Sequence, residues 1–263
     1  MWEPVTIGEV RAWRSSLLNS AGVAHAFTGS GGNLSASQGP GAERATTLRR
    51  SICAQLALGA ERLVFGQQVH GAEIAIVGDG PVERGFVSPG QRVPHVDGLI
   101  TDAPGVPLMA LSADCPAVLV IDPGDKPART MVLGIAHAGW RGAAAGIVPR
   151  LVGLMCQRFD GQANRMMAAL SPSAGPCCYE IREDVVRVFG ARGDAPAACI
   201  QRCDGRTYLD LWSLLDSQLA ECGLRGAQRD IARCCSICDE RFFSFRRDGA
   251  ATGHAGLIAG IRA

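Results

Sequence analysis

The chain has 263 residues, of which 47% are hydrophobic and 19% are charged. This composition is that of a globular protein with a large core, and it excludes an intrinsically disordered chain. The net charge is only +1, so no overall field attracts nucleic acid or an anionic membrane. No apolar run reaches membrane-spanning length, and charges interrupt residues 1–20. We therefore expect a single cytoplasmic domain over residues 1–263.

The cysteine content points to free thiols or metal ligands. The chain carries eleven cysteines, an odd number, and no export signal is visible. Disulfide frameworks belong mainly to small secreted domains. Metal ligation is therefore a better explanation for some of these residues than disulfide bonding.

The chain predicts an early helix followed by several strands. Leu48, Ile52 and Leu56 recur every four residues and precede Gly59, which indicates an amphipathic helix over 43–58 with a C-terminal stop. Apolar runs of strand length follow, each bounded by turn residues. These predicted strands are residues 62–65, 73–77, 106–111, 117–121, 130–135 and 165–170.

The second half adds helices and a late strand. A helical stretch runs from the glycine-rich 139–142 to Arg158, and Pro149 should kink or divide it. Asp210 is expected to cap a helix that Gly223 ends. Residues 242–245 are expected to form a final strand. This mixture of helices and strands predicts a layered, mixed α/β (α+β) fold with mixed sheets.

Three short segments place a good metal ligand beside a predicted strand end. They are QQVHG (67–71), SADCP (112–116) and AHAGWRG (136–142), which carry His70, Cys115 and His137. Two imidazoles and one thiolate suit zinc, because three protein ligands leave a fourth position open for water or substrate. The alternative is that Cys115 is a small buried side chain and that both histidines satisfy backbone carbonyls.

Six strings together resemble a known family. HAGWRG, SADCP, QQVHG, DGLITD, GPCCYEI and SFRRDG, spread between Gln67 and Asp248, are similar to proteins formerly described as polyphenol oxidases or multicopper laccases and now regarded as purine nucleoside phosphorylases. The resemblance implies a layered α/β/β/α domain. It also implies that His70, Cys115 and His137 bind a catalytic zinc ion, Zn2+.

The resemblance further implies the substrates. They are a purine nucleoside and phosphate, with phosphorolysis of adenosine, inosine, guanosine and methylthioadenosine and hydrolytic deamination of adenosine. Neither nucleic acid nor a membrane is an expected partner, and the sequence does not predict an oligomeric state.

Four further residues are candidates for the site. Arg141 and one of Arg246 or Arg247 are expected to bind phosphate, since a guanidinium offers paired donors; structural ion pairs are the alternative. Asp114 is expected to orient a ligating histidine or to accept a proton, unless it merely caps its turn. Gly29 departs from the family pattern, because an arginine is common at its position.

Three other functions remain open. A copper-dependent polyphenol oxidase, or laccase, also uses histidine and cysteine ligands, and copper is a possible substitute for zinc at the same residues. The chain has five histidines, however, which are too few for a blue copper site plus a multinuclear cluster. A cysteine hydrolase would use Cys115 as nucleophile with His137 or His70 as base. A non-enzymatic binding protein would hold structural zinc through Cys234, Cys235 and Cys238, joined by Cys177 and Cys178.

Overall fold

The computed structural model describes residues 1–35, 41–78, 86–88, 90, 92–125, 130–190 and 199–263. Within these residues the chain forms a mixed α/β fold with two large mixed sheets and flanking helices. This confirms the fold class predicted from the sequence. No helix in the described part of the chain combines the length and apolar character that a bilayer crossing requires.

The first sheet combines antiparallel and parallel pairing. In chain order its strands are β1 (Trp2–Ile7), β2 (Val10–Ser15), β3 (Ala24–Thr28), β4 (Val64–Gly66), β7 (Arg92–Val93), β9 (Leu108–Ser112) and β16 (Ala255–Gly260). Their spatial order is β1-β2-β3-β16-β9-β4-β7. Strand β4 pairs in parallel with both β7 and β9, whereas β16 is antiparallel to β3 and β9.

The second sheet is mixed in the same way. Its strands are β5 (Ile74–Val77), β6 (Phe86–Val87), β8 (Gly98–Thr101), β10 (Ala117–Asp122), β11 (Val132–His137), β12 (Met167–Leu170) and β15 (Arg229–Ile231). Their spatial order is β15-β12-β10-β11-β8-β5-β6. A separate antiparallel hairpin joins β13 (Ile200–Cys203) and β14 (Arg206–Leu209).

Helices pack around the two sheets. They are α1 (Ser16–Ser20), α2 (Ala42–Gln55), α3 (Trp140–Ala144), α4 (Ile147–Phe159), α5 (Glu183–Gly190), α6 (Leu211–Glu221) and α7 (Phe245–Asp248). Ile52 on α2 packs with Ile258 of the first sheet. Leu151 on α4 and Leu215 on α6 share a core with Val118 of the second sheet. The order of layers is therefore α/β/β/α, as the resemblance implied.

Alternation along the strands explains why two sheets pack face to face. On β10, Val118 contacts the helix layer, whereas Leu119 lies in the core between the sheets with Leu108 and Leu257 of the first sheet. Successive side chains point to opposite faces of a strand, so a strand apolar on both faces requires cover on both. These residues are fully buried, and burying one such side chain contributes on the order of 1.5–3 kcal/mol.

Three connections pass from the first sheet to the second at a shared edge. Strands β4, β7 and β9 are parallel neighbours, so their C-terminal ends lie at the same edge of the first sheet. Each is followed in the chain by a strand of the second sheet. The connecting residues are 67–73 after β4, 94–97 after β7 and 113–116 after β9.

The register of the second sheet brings a fourth segment to this edge. His137, the last residue of β11, pairs with Ala117, the first residue of β10. Its neighbour Ala136 pairs with Gly98, the first residue of β8. The end of β11 therefore lies where the chain enters β8 and β10 from the first sheet.

Two local predictions are wrong. The helical stretch after residue 139 does divide, but at Gly146, whose φ of 77° is left-handed, and not at Pro149. Pro149 lies in the first turn of α4, where backbone amides need no intrahelical partner, so proline is tolerated there.

Residues 242–245 do not form the expected strand. Phe242 is buried in the core between the sheets, whereas Phe245 begins helix α7 and is 57% exposed. The Ser244 side chain caps this helix by accepting a hydrogen bond from the Arg247 amide. By contrast, the expected cap of α6 is confirmed, since Asp210 accepts from the Ser213 amide at 3.0 Å.

The close approach of β11 and α4 gives a test of this packing. A Cβ at Gly134 would lie 2.9 Å from Met155 Sδ and 3.0 Å from Leu151 Cδ1. We expect Gly134→Ala to lower the free energy of unfolding by about 1–3 kcal/mol through overpacking. Gly153→Ala on α4 meets no atom within 4 Å and should raise it by about 0.5–1 kcal/mol. Thermal unfolding measures both, and a Gly134→Ala protein as stable as wild type would contradict the packing described.

Candidate metal centre

The structure brings the three sequence-predicted ligands together. His70 lies between β4 and β5, Cys115 between β9 and β10, and His137 ends β11. Their ligand atoms all lie within 4.8 Å of one another. The two imidazole rings meet edge to face, with centroids 4.8 Å apart. This group is therefore able to hold a metal ion.

Asp97, in the connection between β7 and β8, organises the group. Its Oδ1 accepts a hydrogen bond from the His70 amide at 3.0 Å and lies 2.8 Å from His137 Nδ1. Its Oδ2 accepts from the amides of Val69 at 3.1 Å and Gly71 at 2.7 Å. One buried carboxylate thus fixes both the backbone around His70 and the ring of His137.

The charge of Asp97 follows from these bonds. Burial by itself would raise the pKa of the carboxyl, but hydrogen bonds from His137, Gly71 and Val69 lower it overall. Asp97 therefore remains ionised and accepts the Nδ1 proton of His137. The ring's Nε2 is left free to face Cys115.

The backbone around the site is shaped to leave room beside the sulfur. A Cβ at Gly139 would lie 2.7 Å from Cys115 Sγ and 3.4 Å from His70 Cδ2. His70 and Asp114 both have left-handed φ angles, 61° and 86°. Such conformations are uncommon for residues other than glycine and persist where surrounding contacts enforce them.

Without a metal ion, Cys115 and His137 form a charged pair. Burial would raise the pKa of the Cys115 thiol, but the positive charge of His137 and hydrogen bonds from both imidazoles lower it to about 6. Burial would lower the pKa of His137, yet the Cys115 thiolate and Asp97 raise it to about 9. At neutral pH the pair is therefore a thiolate beside an imidazolium.

A cavity of about 520 Å³ opens onto these ligands, a volume suited to a small organic substrate. It is lined by both apolar and charged side chains. The lining residues are Ser35, Gly66, Gln68, His70, Arg92, Leu111, Ala113, Asp114, Cys115, His137, Trp140, Arg141, Tyr179, Phe245, Arg246 and His254.

Two of the expected phosphate-binding arginines line this cavity, each against an aromatic ring. The Arg141 guanidinium lies 4.4 Å from the centroid of Trp140, and that of Arg246 lies 5.1 Å from the centroid of Tyr179. Arg246 Nη1 also donates to the Glu180 carbonyl at 2.7 Å. No carboxylate pairs with Arg141 among the residues that the structure describes.

Arg247 has a structural environment. Its guanidinium pairs with Asp248 at 2.8 Å and donates to the backbone carbonyls of Ser236, Ile237 and Phe242. It is absent from the cavity lining. Between the two arginines considered from the sequence, the geometry thus favours Arg246.

Unlike Asp97, Asp114 makes no hydrogen bond to His70 or His137 among the described residues, although it lines the cavity. Its Oδ1 accepts from Ser236 Oγ at 2.7 Å, and its Oδ2 accepts from the Arg246 amide at 2.6 Å. Asp114 therefore ties the loop of Cys115 to the start of α7. In this way it positions Arg246 at the cavity.

Sequence reasoning missed several site residues. Asp97 is the first residue of the DGLITD string. Its position just before a strand was the only feature of the sequence that could have marked it as a site residue. Arg92 also lines the cavity. His254, in the loop before β16, lines the cavity as well, and burial together with the charge of His137 lowers its pKa.

The glycine at position 29 has a steric explanation. A Cβ there would lie 2.7 Å from the Arg241 carbonyl oxygen and 2.8 Å from Trp13 Cζ3. No side chain fits without moving this backbone or ring. The space beside Gly29 is thus filled by Trp13 and by the 241–242 segment.

The Cys115–His137 pair predicts an unusual reactivity. In protein treated with a chelator, alkylation of Cys115 by iodoacetamide should rise as pH increases through about 6, because the thiolate persists above that pH. Peptide mass mapping gives the rate at each cysteine, and exposed Cys203 on β13 serves as the reference thiol. His137→Ala should shift the rise to higher pH. A wild-type rate that stays flat until well above pH 8 would contradict the ion pair.

Comparison with known proteins identifies the family. A family model described as multi-copper polyphenol oxidoreductase laccase matches residues 18–262. Purine nucleoside phosphorylase YlmD of Geobacillus stearothermophilus is 34% identical over 217 residues, which cover 81% of this chain and 77% of the relative. A protein of an unknown prokaryotic organism, named adenosine deaminase RL5, is 27% identical over 227 residues, which cover 85% of this chain and 84% of the relative.

Solved structures agree with this assignment. YlmD from Geobacillus stearothermophilus superposes with a TM-score of 0.80 at 30% identity, covering 96% of each chain. The hypothetical protein YfiH of Bacillus licheniformis also gives a TM-score of 0.80, at 26% identity, and the superposition covers 95% of this chain and 96% of the YfiH chain. The chain therefore belongs to the family described as multi-copper polyphenol oxidoreductase laccase, with relatives that are named purine nucleoside phosphorylases.

Proposed function

We propose that this chain is a zinc-dependent purine nucleoside phosphorylase that acts on adenosine, inosine, guanosine and methylthioadenosine and also deaminates adenosine. The observation that carries the proposal is the convergence of His70, Cys115 and His137 on a cavity that two arginines also line. The names of the relatives supply the reaction classes. Residues 1–263 would form one catalytic domain, in the cytoplasmic setting where thiols stay reduced.

The donor set supports zinc. His70, Cys115 and His137 would hold the ion, and two imidazoles with one thiolate leave the fourth tetrahedral position open. A zinc ion bound there supplies a Lewis acid that polarises a substrate oxygen or lowers the pKa of water. Asp97 keeps the Nδ1 proton on His137, so that the opposite nitrogen is available as a ligand.

The arginines supply the anion-binding part of the proposal. Phosphate attacks C1′ of the ribose as the purine departs, so the enzyme must hold a dianion beside the nucleoside. Arg141 and Arg246 offer paired N–H donors at the cavity, and stacking on Trp140 and Tyr179 limits their motion. Asp114 acts as a positioning residue, because its carboxylate holds the Arg246 amide.

Tyr179 has a second role in the cavity, as a hydrogen-bond donor. Burial raises the pKa of its phenol, so the hydroxyl is protonated at neutral pH and is available as a hydrogen-bond donor. The ring itself packs with the helix-side core of the second sheet. The cavity therefore combines aromatic side chains with cationic groups.

A cysteine hydrolase is the second candidate, because the thiolate–imidazolium pair of Cys115 and His137 is also a nucleophile–base arrangement. Zinc loading separates the two functions. A metal-bound thiolate is protected from iodoacetamide, whereas a free nucleophile reacts at once.

A copper laccase, with copper as a substitute metal, is less well supported. Of the five histidines, His25 is committed to the Ser15 amide and the Val23 carbonyl, and His95 is exposed outside the ligand group. The remaining imidazoles are too few for a multinuclear copper cluster. Phenol oxidation by copper-loaded and zinc-loaded protein tests this function directly.

The activity is tested with adenosine and inosine, each with and without phosphate, on protein of verified zinc content. We expect adenine and hypoxanthine with ribose 1-phosphate only when phosphate is present, and inosine from adenosine without it. Chromatography identifies the products. His70→Ala should abolish both reactions, whereas His95→Asn, a change at an exposed histidine with φ of 53°, should not. Failure of zinc-loaded wild-type protein to form any of these products would refute the proposed function.

Arg141→Ala separates the two activities. The KM for phosphate should rise by roughly 10–100-fold, because one charge-assisted interaction of about 1.5–3 kcal/mol is lost. Deamination of adenosine without phosphate should change much less. Arg150→Ala, which removes an exposed ion pair with Glu73, is the matched control. An unchanged phosphate dependence in Arg141→Ala would exclude this arginine from phosphate binding.

A further inference from the structure

A second group of potential ligands lies outside the cavity lining. The thiols of Cys177, Cys178, Cys235 and Cys238 all lie within 4.8 Å of one another. They come from two segments that are about 60 residues apart in sequence: one precedes α5 and the other precedes α7. We propose that these four cysteines bind a structural zinc ion, distinct from the one proposed at His70, Cys115 and His137.

The spacing of the sulfur atoms fits a tetrahedral thiolate site. Zn–S bonds of about 2.3 Å place the sulfur atoms of a tetrahedral site about 3.8 Å apart. Cys177 Sγ and Cys238 Sγ lie 3.9 Å apart, close to that separation. A disulfide would need about 2.05 Å. The arrangement therefore matches four ligands around an ion better than it matches one bonded pair.

The backbone around Cys235 supplies a donor to its sulfur. The amide of Gly175 donates a hydrogen bond to Cys235 Sγ at 3.3 Å. A hydrogen bond from a backbone amide stabilises negative charge on a thiolate. Cys235 and Cys238 also have the C-x-x-C spacing common among zinc ligands. The turn thus presents one buried sulfur with an amide donor and a second sulfur three residues later.

One guanidinium, that of Arg247, lies beside the group, and it also pairs with Asp248. Four thiolates and one Zn2+ carry a net charge of −2. The Arg247 guanidinium binds the Ser236 and Ile237 carbonyls, within the turn that joins Cys235 to Cys238. Cys234 has a different environment, because it packs against the core between the sheets and is not part of the group.

The position of this group gives it a structural consequence for the cavity. Cys178 immediately precedes Tyr179, which lines the cavity. Cys235 immediately precedes Ser236, whose hydroxyl holds Asp114. An ion bound by all four thiols would therefore join the two segments that carry Tyr179 and the Asp114–Arg246 contact. The ion would brace the cavity wall and would not touch substrate.

Metal stoichiometry tests the inference without any assay of activity. Protein purified under reducing conditions and analysed by inductively coupled plasma mass spectrometry should contain two zinc ions per chain. Cys177→Ser combined with Cys238→Ser should contain one, and His70→Ala combined with Cys115→Ser should also contain one. Cys203→Ser combined with Cys222→Ser changes an equal number of cysteines outside both groups and should keep two.

A wild-type measurement keeps the test valid if a variant fails to fold. Titration of metal-free protein with Co2+ should give two binding phases, one of them with the strong sulfur-to-metal charge-transfer absorption of a four-thiolate site. One zinc per wild-type chain, lost in the His70 variant, would overturn the inference. So would an intact mass 2 Da lower with a Cys177–Cys238 linkage. Loss of only the second ion, with phosphorolysis absent throughout, would leave this site standing while the proposed function failed.

Discussion

One carboxylate holds the candidate site together. Asp97 accepts hydrogen bonds from three consecutive amides, those of Val69, His70 and Gly71, and its Oδ1 also lies 2.8 Å from His137 Nδ1. His70 in one connection and His137 at the end of β11 are therefore oriented by one group. The arrangement is possible because the chain crosses between the sheets three times at one edge. Outer partners of this kind commonly change metal affinity 10–100-fold, so we expect Asp97 to influence metal binding by this group.

Electrostatics then determine what the site can hold. Cys115, His137 and Asp97 form an alternating chain of negative, positive and negative groups in the absence of metal. A divalent cation can replace the proton on His137 Nε2 while the Asp97 hydrogen bond on Nδ1 remains. Affinity should consequently fall as pH falls, since protons compete for the same nitrogen and sulfur atoms.

The grouping of His70, Cys115 and His137 could be predicted from the sequence better than its surroundings. Each of the three residues stands in a distinctive string beside an apolar run. Asp97 and Ser236 were missed, since their partners are 26 or more residues away in sequence and depend on how the sheets cross. Local sequence features also opposed each other in residues 242–245. Their composition is typical of a strand, but the helix cap by Ser244 and the burial of Phe242 produce a turn and a short helix.

The proposed chemistry requires that His70, Cys115 and His137 together bind one divalent ion. This is best tested on a crystal of the zinc-loaded protein, with diffraction measured on both sides of the zinc absorption edge. We expect an anomalous peak within bonding distance of Cys115 Sγ and of one nitrogen on each imidazole, about 2.0–2.3 Å away. Density elsewhere only, with these three side chains turned toward separate partners, would contradict it.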